Sequence, residues 1–131
     1  MAILDTGFMI DYLWNIQTAI DLFENFKKDG ETLRTTSINV YELIKGAEMS
    51  KNRERDLSKV TALLEITEVV NFNDKMAKLA VRIFAELSKQ GKMNDDFDVM
   101  IAAVCLYTRD KIVTKNIKHF ERVNGLKIET Y

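Results

Sequence analysis

The 131-residue chain has no proline, one cysteine, one histidine and five glycines. A lone cysteine, Cys105, excludes an internal disulfide and gives no sign of an oxidising compartment. One cysteine and one histidine cannot make a ligand-spaced zinc set, and a nucleolytic pair of histidines is excluded. No apolar run approaches the ~18 residues of a membrane helix, and "MAILD" lacks the basic-then-apolar pattern of a signal peptide. The net charge of -1 excludes a polycation that coats nucleic acid, so any such contact must come from a local patch. There is no P-loop and no G-x-G-x-x-G fingerprint. There is also no repeat, linker or low-complexity tract. The expectation is a soluble, cytoplasmic protein with no membrane segment and one domain over residues 1–131.

What is present is an alternation of short apolar runs with helical patterns. "AILD" reads as a buried strand closed by Asp5, and a helix follows from about Phe8 to Trp14. Thr18 is placed to cap a second helix with Ile20, Phe23 and Phe26 on one side, stopped at Gly30. "ETLRTTS" suits a strand, and Ser37 can cap a helix carrying Val40, Leu43, Ile44 and Ala47. "EMSKNRERD" reads as a loose basic stretch before a helix over Leu57, Val60 and Leu64. After the strand "EVVNF", Asn73 caps a long helix with Met76, Leu79, Ala80, Ile83 and Leu87 inward, ended at Gly91. A further helix starts in "NDDFDVMIAA", with Phe97, Ile101, Val104 and Cys105 as its stripe. "KIVT", the short helix "IKHFERV" and the strand "LKIETY" complete the chain.

This order predicts an α/β fold, a five-stranded mainly parallel sheet with helices on both faces. Ligands bind such sheets beyond the carboxyl ends of the strands, where strand order reverses. Asp5 and Asn116 fall at that rim.

Three acids crowd "NDDFD". One of Asp95 and Asp96 is explained as a cap or first-turn acid on the helix dipole. Asp98 flanks the apolar stripe and can point toward the strand ends. Glu42 lies in the second turn of its helix, too late to cap, with a solvated surface position as the competing reading. Asp5 is the strongest case, because a carboxylate closing a central strand is costly unless hydrogen-bonded, paired or bound to a cation. Brought together, Asp5, Glu42 and Asp98 would repel one another and raise one another's pKa values. A divalent ion removes that penalty, and an all-oxygen set selects a hard cation, Mg²⁺ or Mn²⁺. His119 is expected to pack or face solvent rather than act as a base.

Taken in order, "ILDTGFMIDYL", "TTSINVYELIKGAE", "GKMNDDFDVMIAAVCL" and "IVTKNIKHFERVNGLKIETY" resemble the PIN-domain ribonucleases, and more narrowly the VapC-type toxins of toxin–antitoxin pairs. The resemblance covers nearly the whole chain. It implies a single PIN-like domain whose acidic site comprises Asp5, Glu42 of the "E-L-x-x-G" segment and Asp98 of the "D-x-x-I-A-A" segment. Asn116 stands at a fourth polar position, where it orients a water or another carboxylate. Many relatives carry proline in the segment after the glycine matching Gly91, where this chain has "KMN". Asp96 is then placed to support the metal from the site's edge.

The implied activity is a Mg²⁺- or Mn²⁺-dependent endoribonuclease. Metal held by Asp5 and Asp98 activates a water for in-line attack on an RNA phosphodiester, with Glu42 positioning that water or serving as general base. Thr6 and Ser37 are candidates to hydrogen-bond these carboxylates. Lys45, Lys115 and Lys118 are candidates to offset the acidic charge at the rim. The implied partners are RNA, a cognate VapB-type antitoxin and a second copy in a homodimer. Trp14, Phe8 and Tyr41 are candidates for an apolar docking surface, with Phe8 more at home in the core. Two rival readings share the fold class: an inactive PIN-fold partner in a repressor complex, and a phosphoacceptor receiver domain. A receiver needs an Asp at the end of its third strand, and "VVNFND" offers asparagines there.

Overall fold

The computed structural model describes residues 1–92 and 94–131. Five strands form one sheet: β1 (Ala2–Leu4), β2 (Leu33–Thr36), β3 (Glu68–Val70), β4 (Lys111–Val113) and β5 (Ile128–Glu129). Their order is β3-β2-β1-β4-β5, and every pairing is parallel. The sheet is therefore wholly, not mainly, parallel. Seven helices occur among the described residues: α1 (Thr6–Leu13), α2 (Gln17–Lys28), α3 (Ser37–Glu48), α4 (Arg53–Glu65), α5 (Asp74–Lys89), α6 (Asp96–Thr108) and α7 (Ile117–Phe120). None is long and apolar enough to cross a membrane.

Side chains alternate across a strand, and β1 shows why it is apolar throughout. Ala2 and Leu4 pack with Phe8, Phe23, Leu43, Val60 and Leu63 from α1 to α4. Ile3 faces the other way, among Ala80, Ile101, Ile112 and Phe120 from α5 to α7 and β4. A strand covered on both faces carries no polar alternation. Order reverses between β1 and β4. The chain leaves β1 toward β2 and β3, then crosses to β4 and β5, which opens a crevice at the carboxyl ends of β1 and β4. Asp5 and Asn116 stand on either side of it.

Several local expectations are corrected by capping. α1 begins at Thr6, directly after the strand, because Asp5 accepts the Thr6 N–H and serves as its N-cap. α2 begins at Gln17 with no side-chain cap, so Thr18 lies inside it. Thr36, not Ser37, caps α3: its hydroxyl accepts the Asn39 N–H, and the Asn39 side chain accepts the Thr36 N–H in return. Such a reciprocal box satisfies two free donors at once. Ser37 instead accepts the Phe72 N–H, tying α3 to the segment after β3. The stretch read as loose is ordered, with Arg53 opening α4 and paired to Glu48.

Asn73 caps α5 as expected. Gly91, at φ 70°, takes the left-handed turn that ends it. Asp95 is the cap of α6, accepting the Phe97 N–H at 2.8 Å. α6 is buried on more than one stripe, with Val99 and the whole run from Ile101 to Cys105 inside, while Phe97 is exposed. Within "KMN", Met93 lies outside the described residues.

Ile112 is fully buried at the centre of the sheet. Ile112→Ala should cost about 2–5 kcal/mol and Ile112→Val about 0.5–1.5 kcal/mol, read as shifts in a urea unfolding midpoint at unchanged m-value.

Candidate active site at the strand ends

Asp5 is buried at the carboxyl end of the central strand. Its Oδ1 accepts the Thr6 N–H at 2.9 Å and the Asn39 amide at 3.3 Å. Its Oδ2 accepts the Thr114 hydroxyl at 2.7 Å. Donors from α1, α3 and the residue after β4 thus converge on one carboxylate. All are neutral, so they satisfy its hydrogen bonds without cancelling its charge. Burial, and then the charge of Asp98, keep its pKa above the usual carboxylate value even against three lowering hydrogen bonds.

Thr6 links this acid to the next. Its hydroxyl donates to Glu42 Oε1 at 2.9 Å and accepts from the Asn39 amide at 2.9 Å. Glu42 is half-buried on α3, and its pKa is raised, first by burial and then by the charges of Asp5, Asp98 and Asp95. Asp98 is also raised, by burial first, although His119 pulls it back down. No lysine or arginine among the described residues forms an ion pair with Asp5, Glu42 or Asp98.

The three acids share one electrostatic neighbourhood, yet each is turned to a protein partner. Among the described residues, no three His, Cys, Asp or Glu side chains stand in a cage for one ion. The expected convergence on a shared metal is met in charge but not in closed geometry. Both oxygens of Asp5 already accept hydrogen bonds, and Asp98 Oδ2 lies 2.8 Å from the His119 ring. The donor set nonetheless suits a hard divalent ion: oxygen atoms, uncompensated charge and raised pKa values.

His119 was expected to pack or face solvent rather than act as a base. It is half-exposed and packs against the acid, with Nδ1 2.8 Å from both Asp98 and the Asn116 side chain. One nitrogen cannot donate to Asp98 and accept from Asn116 together. With Asp98 ionised, Nδ1 donates its proton to that carboxylate, and the Asn116 amide lies against the same nitrogen. Asn116 thus bears on a carboxylate through His119. Thr6 contacts an acid as expected, whereas Ser37 does not. Asn39 and Thr114 were missed. Asp95, not Asp96, is the acid whose charge bears on Glu42 and Asp98.

The expected basic rim is partly spent. Lys115 pairs with Asp11 at 3.1 Å and lies over the Tyr131 ring. Lys45 lies over Tyr41, and Lys118 is exposed. Phe8 is core, while Trp14 and Tyr41 are exposed.

The sequence matches the PIN domain family over residues 2–126. It is 33% identical over 128 residues to the tRNA(fMet)-specific endonuclease VapC of Shigella flexneri, covering 98% of this chain and 96% of that protein. It is 31% identical to ribonuclease VapC2 of Haemophilus influenzae, with the same coverage. Among solved structures, the DNA-bound VapBC complex of Salmonella typhimurium contains a chain that superposes with a TM-score of 0.90 at 32% identity, covering 98% of this chain and 96% of that one. A chain of the Rickettsia felis VapBC2 complex bound to a promoter DNA fragment superposes at 0.92 and 26% identity, covering 99% and 98%.

A raised carboxylate pKa means the folded state holds its proton more tightly than the unfolded state. Stability therefore falls as pH rises through the window between the two values. Glu42→Gln keeps the acceptor for Thr6 and removes the repelled charge. It should melt above the wild type at pH 7. The gain should vanish as pH falls through the raised pKa and below the ordinary value of 4.5, as followed by thermal melts across pH in EDTA.

Proposed function

The chain belongs to the PIN domain family, and from that premise we propose that it is a divalent-metal-dependent endoribonuclease, the toxin of a toxin–antitoxin pair. The observation that carries the reading is the buried Asp5 carboxylate. It is held by neutral donors, coupled in charge to Glu42 and Asp98, and left without a cationic partner. The named ribonuclease relatives support RNA as substrate.

PIN-domain nucleases are in general divalent-metal dependent. Asp5 and Asp98 would hold the ion here, with Glu42 beside them, and Mg²⁺ or Mn²⁺ suits their oxygen atoms. Bound there, the cation supplies Lewis-acid stabilisation of the charge that builds on the phosphodiester. Glu42 has Oε1 tied to Thr6, which leaves Oε2 to take a proton from the attacking water. His119 and Asn116 hold Asp98 in place, and Thr114 and Asn39 do the same for Asp5.

The VapBC complexes support a VapB-type antitoxin as partner. A groove lined by Ile10, Leu13, Trp14, Leu43, Ala47 and Val60 suits an apolar segment of it. Exposed Val81 and Phe84, beside an apolar depression with Phe72 and Met100, suit a second copy of the chain in a homodimer. No helix among the described residues is long and apolar enough to cross a membrane, and an RNA substrate supports a cytoplasmic location. The receiver reading fails on topology: a receiver's strand order is 2-1-3-4-5, whereas here β3 is an edge strand ending at Val70.

The purified protein should cleave a mixed pool of transfer and messenger RNA, stop in EDTA and recover with excess Mg²⁺ or Mn²⁺. Asp5→Asn and Asp98→Asn should each fall below a tenth of the wild-type rate with circular dichroism unchanged. A variant that keeps more activity removes that residue from the site. In cells, expression of the chain alone should arrest growth, and co-expression of its antitoxin should relieve the arrest. Undisturbed growth with soluble protein present would count against the toxin role and leave the nuclease in place.

A further inference from the structure

Two aromatic side chains flank the acids without a part in the chemistry above. Tyr41 immediately precedes Glu42 on α3, and Phe97 immediately precedes Asp98 on α6. Their rings meet edge to face, with centroids 5.7 Å apart at 81°. The contact does not bury them: Tyr41 is 54% exposed and Phe97 36%. Lys45, one turn beyond Tyr41, sets its ammonium 5.6 Å from the Tyr41 ring centroid. That ammonium forms no ion pair among the described residues.

We propose that Tyr41, Phe97 and Lys45 form a base-stacking platform that seats an unpaired nucleotide of RNA next to the phosphodiester to be cut. The proposal rests on the ribonuclease reading and names how that site holds its substrate. An edge-to-face contact does not stack the two rings on each other, so ring face stays open to a base even with Lys45 over Tyr41. Each ring also limits the rotamers of the other, so little side-chain freedom is lost on binding. Every nucleobase has a π-face, and single strands are held by aromatic stacking joined to cationic contacts with phosphate. Lys45 supplies such a contact. Lys45 supplies positive charge beside the rings, which a polyanion needs to approach the acids Glu42 and Asp98. A protein surface would instead demand a wider apolar patch around the rings.

The test is fluorescence anisotropy in EDTA, where cleavage is off, with the full chain. The probes are a labelled mixed-sequence RNA of about 12 nucleotides, within the usual range of single-strand sites, and an abasic ribose-phosphate strand of equal length. Tyr41→Leu and Phe97→Leu keep apolar bulk and lose the π-face. Each should weaken RNA binding by about 5- to 150-fold, the measured range for a stacked base converted to affinity. Tyr41→Trp should bind as well as the wild type. The abasic strand should bind wild type and leucine variants alike.

Wild-type affinity in both leucine variants would overturn the platform, as would an equal loss on the abasic strand. So would light scattering that shows the leucine variants as monomers where the wild type is a dimer, because the rings would then belong to a contact between copies. If the wild type cleaves RNA and the leucine variants bind normally, the platform alone falls. If the wild type neither binds nor cleaves RNA, the ribonuclease reading falls and the platform with it. Melting temperatures matched to the wild type tie each loss to the rings.

Discussion

A buried carboxylate held only by uncharged donors organises this molecule. Asp5 takes hydrogen bonds from its neighbour Thr6, from Asn39, 34 residues away, and from Thr114, 109 residues away. Each bond fixes the direction of an oxygen, and none supplies a full positive charge. A lysine or arginine in place of any of them would make the anion comfortable and inert. The scaffold orders the charge without neutralising it. The electrostatic strain this stores is offset elsewhere by a sheet packed on both faces, with Ile3, Leu4, Ile112 and Val113 fully buried.

Topology explains why the acids gather where they do. β1 and β4 are neighbours in the sheet, yet the chain leaves them in opposite directions. The helix α1 starts from the carboxyl end of β1, and α6 runs back from the same rim into β4, so their first turns lie together there. Asp5 caps α1 at that rim, and Asp98 occupies the first turn of α6. Helix N-termini favour negative charge, so the fold softens the repulsion that the acid cluster creates. The crowding in "NDDFD" thus divides into a cap, Asp95, and an acid of the candidate site, Asp98, with the charge of Asp95 bearing on Glu42 and Asp98.

Strand positions, the wholly apolar β1 and the acids Asp5, Glu42 and Asp98 were legible because each leaves a local signature: a run, a period or a charge in an expensive place. The supporting residues left none. Asn39 looks like an ordinary first-turn residue, and Thr114 like the end of a strand. Their partner is Asp5, and only the tertiary fold brings it near. The contact of His119 with Asp98 was hidden for the same reason. A lone imidazole has no spacing to read, and its role is set by α6 lying against α7. Capping was misassigned by one residue at α3 because Thr36 and Ser37 both suit a cap. The choice between them is made by Asn39, which closes the box with Thr36, and by Phe72, whose N–H claims Ser37.

The pairing of β1 with β4 sets Ala2 against Lys111 and Leu4 against Val113. The central strand of the sheet therefore waits for a neighbour made more than a hundred residues later, and Asp5 waits for Thr114. Contacts so distant in sequence form slowly and late. On the ribosome, the α1 to α5 portion can collapse while the strand-end rim is still incomplete, with Asp98 and His119 not yet in position. A polypeptide that ended before β4 would contain Asp5, Glu42 and Asp98 but lack Thr114, Asn116 and His119, which hold two of them. The rim around Asp5 is therefore completed only by residues close to the end of the sequence, long after the strand that carries it has been made.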